Sequence, residues 1–373
     1  IANRNQTMRA LWLVRDNLLQ HPGGDTTQIC QTAAALRASG VQVDMSSEPR
    51  PRMDNYDVVH LFHLDRVWEN EAHCRHLRTA RRPAVLSTIY WPADEFDRGG
   101  RAGMQGLLAR MFGSSTYQNL RFMQRALLHA LRNPSLHNLR PRWRFNRAAR
   151  NILESVKVIL PNSRAEQEQI EKRFNIARPT VVVPNAANTQ IFNLPPASRS
   201  TERAGVLCVG RLEPRKNQLA LIEALRDSEI QLTIVGHAGR YSSVYQQRCH
   251  QAAGSNVEFV DQQPPEKLNQ LYQTAKVHAC VSWYETPGLA SLEAALCGCT
   301  LVVTPGGSTR EYFGEQAHYC QPNDRQSILS AVQAALSAPP ASDLANRVAQ
   351  EYTWSAAAAK TLVGYEQALS TDG

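Results

Sequence analysis

From Val277 to Glu293 the chain reads Val-His-Ala-Cys-Val-Ser-Trp-Tyr-Glu-Thr-Pro-Gly-Leu-Ala-Ser-Leu-Glu. The apolar run over 277–282 has strand length, Thr286-Pro287-Gly288 turns it, and a helical pattern fills 288–297. The first amides of such a helix have no intrahelical acceptor, and together with the helix dipole they suit a phosphate. Glu285 stands just before the turn and Glu293 about two turns further on. Carboxylates accepting from hydroxyl groups fit sugars and riboses. An isolated Glu-x7-Glu also reads as a capped helix with one solvated and one core-facing glutamate.

Two further loops repeat the arrangement. Upstream, a strand over 205–209 opens into Gly210-Arg211-Leu212-Glu213-Pro214-Arg215-Lys216-Asn217 and a helix over 218–226; downstream, a strand over 300–303 opens into Thr304-Pro305-Gly306-Gly307-Ser308-Thr309-Arg310-Glu311. Further strands are expected at 231–235, ending in Gly236, and at 257–260, and helices at 265–274 and 355–369. The N-terminal half alternates in the same way. Strands are expected at 9–14, 41–45, 58–62, 84–89, 156–160 and 180–183, with His21-Pro22-Gly23-Gly24-Asp25 and a helix over 27–39 after the first. Such alternation predicts parallel sheets wound on both faces, and at 373 residues two domains rather than one. Pro184-Asn185 and the segment from Pro195-Pro196 to Ser200 read as linker.

The Gly-Arg-x4-Lys, Glu-x2-Gly-Leu-x3-Glu-Ala and Gly-Gly-x3-Glu motifs resemble, in order and spacing, those of the retaining family-4 glycosyltransferases (glycosyl transferases group 1) of the GT-B architecture. The likeness covers nearly the whole chain and is densest over 206–324. It implies an α/β protein of two Rossmann-like doubly wound domains facing a cleft: an acceptor-side domain over 1–194, completed by a helix crossing back over 354–373, and a nucleotide-sugar domain over 195–353. Arg211 and Lys216 would hold the donor diphosphate and offset the charge that grows on it. Glu285 would contact the transferred sugar and Glu293 the ribose. Gly288, Leu289 and Ala290 would cradle phosphate, and Gly23, Gly24, Gly210 and Gly236 would line the donor. Val183-Pro184-Asn185-Ala186-Ala187-Asn188 looks like the interdomain segment, with Ala186 and Asn188 in place of the usual Gly and Asp. The expected reaction moves a sugar to a hydroxyl of a glycan or glycolipid in polysaccharide or cell-surface glycan biosynthesis, with no metal or other cofactor. Competing readings are a nucleotide-sugar epimerase of the same fold and a non-catalytic polyanion-binding protein.

The acceptor side is less explicit. Relatives carry a His after the strand corresponding to 84–89, where this chain reads Ser87-Thr88-Ile89-Tyr90-Trp91-Pro92. His60, His63, Tyr90 and the acids Asp94 and Glu95 are the candidates left. The Glu69–His76 run has metal-compatible side chains but no second cluster with ligand spacing. The net charge of +8 is local: eleven arginines and no Asp or Glu stand between positions 98 and 153. Leu120, Met123, Leu127, Leu128 and Leu131 interleave with Arg121, Arg125 and Arg132 there, as on an amphipathic helix. That helix either meets an anionic membrane or lipid-diphosphate surface or packs with a solvated basic rim; nucleic acid is disfavoured for want of a stacking platform. No apolar run approaches the roughly 18 residues that span a bilayer. Residues 1–7 lack the apolar core of a secretion signal, and whether Met8 is the natural start stays open. Eight cysteines without CxxC spacing read as reduced thiols. The implied place is cytoplasmic, or peripheral at the inner membrane face.

Overall fold

The computed structural model describes residues 7–101, 103–132, 145–195, 202–238, 242–286 and 288–370. It forms two compact units, each a parallel sheet with helices on both faces. The first comprises Ile1–Pro92, Phe112–Asn185 and Trp354–Gly373; the second comprises Ala93–Met111 and Ala186–Thr353. The chain therefore changes unit at Asn185 rather than at 194, and the segment Ala93–Met111 packs with the second unit. Arg140, Arg142 and Arg144 and the linker over 196–200 lie outside the described residues.

In the first unit, β1 (Arg9–Leu13), β2 (Gln42–Ser46), β3 (Val58–Phe62), β4 (Ala84–Ser87) and β5 (Val158–Ile159) pair in the order β2-β1-β3-β4-β5. Strands buried on both faces are largely apolar, and in Val-Val-His-Leu-Phe of β3 His60 is the one polar residue. Leu11, Leu13, Val59 and Leu61 meet Leu77, Ile152, Leu153 and Ile170 on one face. On the other, the Trp12 indole donates to the Tyr365 hydroxyl at 2.8 Å, which ties the C-terminal helix Trp354–Ser370 into this unit. The strand expected over 180–183 does not form. Val181 and Val183 donate to the carbonyls of Ile159 and Pro161, but prolines at 179 and 184 bound the segment and leave only an isolated bridge at Thr180.

In the second unit, β6 (Ala204–Val209), β7 (Leu232–Val235), β8 (Val257–Val260), β9 (Ala275–Cys280), β10 (Thr300–Val303) and β11 (Ala317–Tyr319) pair in the order β11-β10-β9-β6-β7-β8. From β6 the chain builds outward through β7 and β8, then returns to β6's other side for β9 and builds the opposite way. The strand order reverses between β6 and β9. Parallel sheets bind ligands at the carboxyl ends of the strands flanking such a reversal.

Among the described residues the arginine-rich stretch forms the helix Phe145–Ser155 and the longer helix Gly103–Arg132, which is broken by non-helical Gly113. Its apolar positions divide. Tyr117 and Phe122 are buried, whereas Leu107, Met111, Phe112, Leu120 and Leu127 are exposed, Met111 at 68%. The side chains of Arg125, Leu128, Leu131 and Arg132 lie outside the described residues. No described helix is long and apolar enough to cross a membrane.

Candidate active site

Four loops at consecutive strand ends converge in the second unit. Gly236 after β7 lies so close to the loop after β6 that a Cβ there would stand 2.2 Å from the Gly210 carbonyl oxygen; its φ of +146° also favours glycine. Asn217, in the left-handed region at φ +62°, donates to the carbonyls of Val281 and Pro322. It thereby locks the loop after β6 against the ends of β9 and β11. The loops after β9 and β10 join through Glu285: its N–H donates to the Gly306 carbonyl at 3.1 Å, and its carbonyl accepts from Ser308 at 2.8 Å. A Cβ at Gly307 would fall 1.9 Å from the Glu285 carbonyl oxygen, so the Gly-Gly pair is required by this approach.

At the reversal between β6 and β9 the side chains form a compact ion cluster. The Lys216 ammonium lies 2.6 Å from Glu285 Oε1 and the Arg215 guanidinium 3.4 Å from the same oxygen, while Arg215 also meets Glu213 at 3.1 Å. Glu285 is 7% exposed. Burial alone would push its carboxyl up, but Lys216 and then Arg215 outweigh that and hold it down at about 2. Burial likewise opposes both cations, and Glu285 more than compensates, raising each. Glu285 and its two cations are therefore ionised across the neutral range. The helix Leu289–Leu296 begins beside it, with Gly288 at φ +91° as its first cap. By helix geometry the amides of Leu289 and Ala290 have no carbonyl a turn back to accept them.

Glu293 sits on that helix away from the cations, accepting from the Tyr272 hydroxyl at 3.3 Å. Burial raises its carboxyl to about 7, against the Tyr272 hydrogen bond, which lowers it. Arg211 stands at the cluster's outer edge: its side chain is 44% exposed, and it lies 3.8 Å from Glu213. Sequence reasoning passed over Arg215, whose position between Pro214 and Lys216 carries no sign of burial.

In the first unit the candidates scatter. His60 is a core residue and not an acceptor-side group: its ring nitrogens lie 2.8 Å from the Tyr365 and Ser87 hydroxyls, and burial lowers the imidazole to about 3. Tyr90 likewise lies in the core, 5.5 Å from Phe174 and 6.5 Å from Phe145 between ring centroids. Asp94 lies in the segment that packs with the second unit. His63 directly follows β3. At φ +66°, it places Nε2 3.3 Å from Asp25, which lies in the first turn of the helix Gly24–Ala38 and is also held by Arg15 at 2.7 Å. Burial would raise Asp25, but His63 and Arg15 keep it well below the usual carboxylate range. Glu166, which the sequence did not single out, is wholly buried and accepts from Thr88, from the Tyr90 amide at 2.8 Å and from the Asn162 amide at 2.8 Å.

Residues 192–352 match the family described as glycosyl transferases group 1. Among curated proteins, a D-inositol 3-phosphate glycosyltransferase of Arthrobacter sp. (strain FB24) is 25% identical over 93% of this chain and 90% of its own length. A phosphatidylinositol N-acetylglucosaminyltransferase subunit of Arabidopsis thaliana is 24% identical over 50% of this chain, which spans 44% of that protein. Among solved structures, the sucrose-phosphate synthase of Thermosynechococcus elongatus aligns with a TM-score of 0.75 at 18% identity, over 98% of this chain and 100% of that one. Anabaena HepE in complex with UDP and glucose aligns with a TM-score of 0.68 at 17% identity, over 95% and 99%.

Proposed function

We propose, from the premise that residues 192–352 are a glycosyl transferases group 1 domain in a chain of GT-B fold, that this protein moves a sugar from a nucleotide diphosphate carrier to a hydroxyl of a glycan or glycolipid with retention of anomeric configuration. The observation that carries the reading is the Lys216–Glu285 pair at the strand reversal, beside the start of the helix Leu289–Leu296. A phosphate cation and a hydroxyl-accepting carboxylate stand together where a parallel sheet takes its ligand. The curated and solved relatives include proteins named for glycosyl transfer and one complexed with UDP and glucose.

In this reading the diphosphate lies over the amides of Leu289 and Ala290. Lys216 and, from its exposed position, Arg211 offset the charge that accumulates as the glycosidic bond breaks, an interaction stronger in the transition state than in the ground state. Glu285 accepts from hydroxyls of the transferred sugar and Glu293 from the ribose. The acceptor hydroxyl attacks from the face the leaving phosphate vacates, so that phosphate's oxygen takes its proton. No cofactor or metal is invoked. The test is a panel of UDP-, GDP-, ADP- and TDP-sugars scored for thermal stabilisation and hydrolysis. One class should stabilise the wild-type chain and be turned over; failure of every class would refute the reading.

Phe112, Leu120 and Leu127 are exposed in the first unit, which also carries exposed Arg147 and Arg150, and such a composition suits the interface of an anionic bilayer. We infer peripheral attachment there, at a cytoplasmic membrane face where a lipid-linked acceptor resides. Vesicles containing phosphatidylglycerol should co-sediment the chain at low salt and release it at high salt. Equal recovery with neutral phosphatidylcholine vesicles would count against it.

A further inference from the structure

We propose that Arg215 is a positioning residue that aims Glu285 at the transferred sugar and retains it when Lys216 turns to the diphosphate. The proposal rests on the donor reading above and adds a division of labour within it.

Arg215 is bonded to three consecutive residues of the loop after β9. Its carbonyl accepts from the Trp283 amide at 2.9 Å, its Nη1 donates to the Tyr284 carbonyl at 2.9 Å, and the same nitrogen stands 3.4 Å from Glu285 Oε1. The guanidinium lies 5.1 Å from the Tyr284 ring centroid, and Nη2 donates to Glu213 at 3.1 Å. A planar fork fixed at this many points cannot swing away. Lys216 has a flexible stem and one contact of this kind, the 2.6 Å bond to Glu285 Oε1. Both cations meet the carboxylate at Oε1. The other oxygen, Oε2, is the one beside Gly288: a Cβ built there would approach it to 3.5 Å. One oxygen is thus anchored and the other is turned toward the start of the phosphate-binding helix.

A diphosphate arriving at that helix competes with Glu285 for Lys216. Without Arg215, the lysine's departure would strand a buried carboxylate with no cation, so the pair would resist opening. With Arg215 in place the carboxylate keeps a partner and its orientation. Phosphate binding and sugar recognition then become compatible rather than competing.

The experiment uses the full chain and its variants Arg215→Met and Arg215→Lys. It compares UDP-glucose with UDP and GDP-mannose with GDP, using whichever pair the wild type accepts. Arg215→Met should bind the nucleoside diphosphate within about threefold of wild type but lose roughly 100-fold in kcat/KM for the nucleotide sugar. Arg215→Lys should keep the charge without the fork and fall between. The acid limb of the rate profile should also move to higher pH in Arg215→Met. The groups facing Glu285 there are Lys216, Cys280 at 3.8 Å and the Ser282 hydroxyl, with His278 on the same strand, and removal of Arg215 deletes one of its two cations. Equal losses for nucleotide and nucleotide sugar, with the acid limb unmoved, would reduce Arg215 to a structural residue and overturn the proposal. If Arg215→Met does not fold, Arg215→Lys decides by the same split. If the wild type accepts no nucleotide sugar, the donor reading itself falls; if it does and both variants match it, only this inference falls.

Discussion

Lys216 and Glu285 act as one unit, so their substitutions have unequal structural costs. Glu285→Gln leaves Arg215 its bond to Glu213 but takes from the largely buried Lys216 the carboxylate it pairs with. Losing one partner of such a pair costs about 3 kcal/mol of stability, and donor turnover should fall at least ~100-fold. Lys216→Ala leaves Glu285 still paired with Arg215. Its stability loss should therefore be the smaller of the two while turnover falls comparably. Urea melts and initial rates on both variants check this; wild-type-like turnover in either would remove the pair from the site. Glu293 supplies a pH prediction of opposite sense. Its folded value, about 7, lies above the ordinary 4.5, so the protonated form is the one the fold favours. Its contribution to stability is complete below about pH 4.5 and is lost as pH rises through about 7. Glu293→Gln should then be close to neutral at pH 4.5 but more stable than wild type at pH 8, by roughly 3 kcal/mol. Donor affinity in the wild type should rise over that interval as the carboxylate ionises and accepts more strongly. A stability difference that does not change with pH would show that Glu293 titrates normally.

Elements were legible in proportion to how far their own residues determine burial. The strands Val58–Phe62, Val257–Val260 and Thr300–Val303 and the helix Pro265–Thr274 form at the bounds their patterns predict. β11, the three residues Ala-His-Tyr, has no apolar run to announce it; its place follows from pairing with β10. The same distinction separates site residues. Lys216 and Glu285 belong to spaced motifs beside strand ends and were readable. Arg215 became half-buried because of a loop about 70 positions away, and His60 became a core group because of Ser87 and Tyr365, 27 and 305 positions away. A polar residue inside a strand points to a site only when its partners are near in sequence, and here they are not. The glycines follow a third logic, loop against loop. Gly307→Ala places a methyl where the Glu285 backbone already stands and should prise apart the loops after β9 and β10. It should cost at least ~2 kcal/mol from strain at positive φ and overlap and reduce donor turnover more than Gly314→Ala. Gly314 is also at positive φ, but an added Cβ there meets nothing within 4 Å. Equal effects of the two substitutions would mean that backbone strain alone, and not the loop junction, is being measured.

At the scale of the molecule, neither compact unit is one continuous stretch of chain. The C-terminal helix completes the first unit through Tyr365, and the segment Ala93–Met111 completes the second. That segment covers a residue of the loop after β9. Phe96 lies 6.3 Å from Trp283 between ring centroids, and a Cβ at Gly99 or Gly100 would stand 2.6 or 2.5 Å from the indole. The glycines thus admit the backbone flat against the ring, and Arg101 closes the turn through Asp97 at 2.5 Å. Trp283 is two positions from Glu285, so the covering segment bears on how the loop after β9 is held. A fragment over 186–353 should therefore be an incomplete second unit, and it contains Trp283 as its single tryptophan. Its emission should be red-shifted by exposure of the indole. A synthetic peptide over 93–111 should shift it back to the blue in a saturable titration, and a peptide carrying Gly99→Leu and Gly100→Leu should not. If the fragment already shows blue, quencher-protected emission and the peptide leaves it unchanged, the indole is covered from within 186–353 and the segment over 93–111 contributes nothing to the loop after β9.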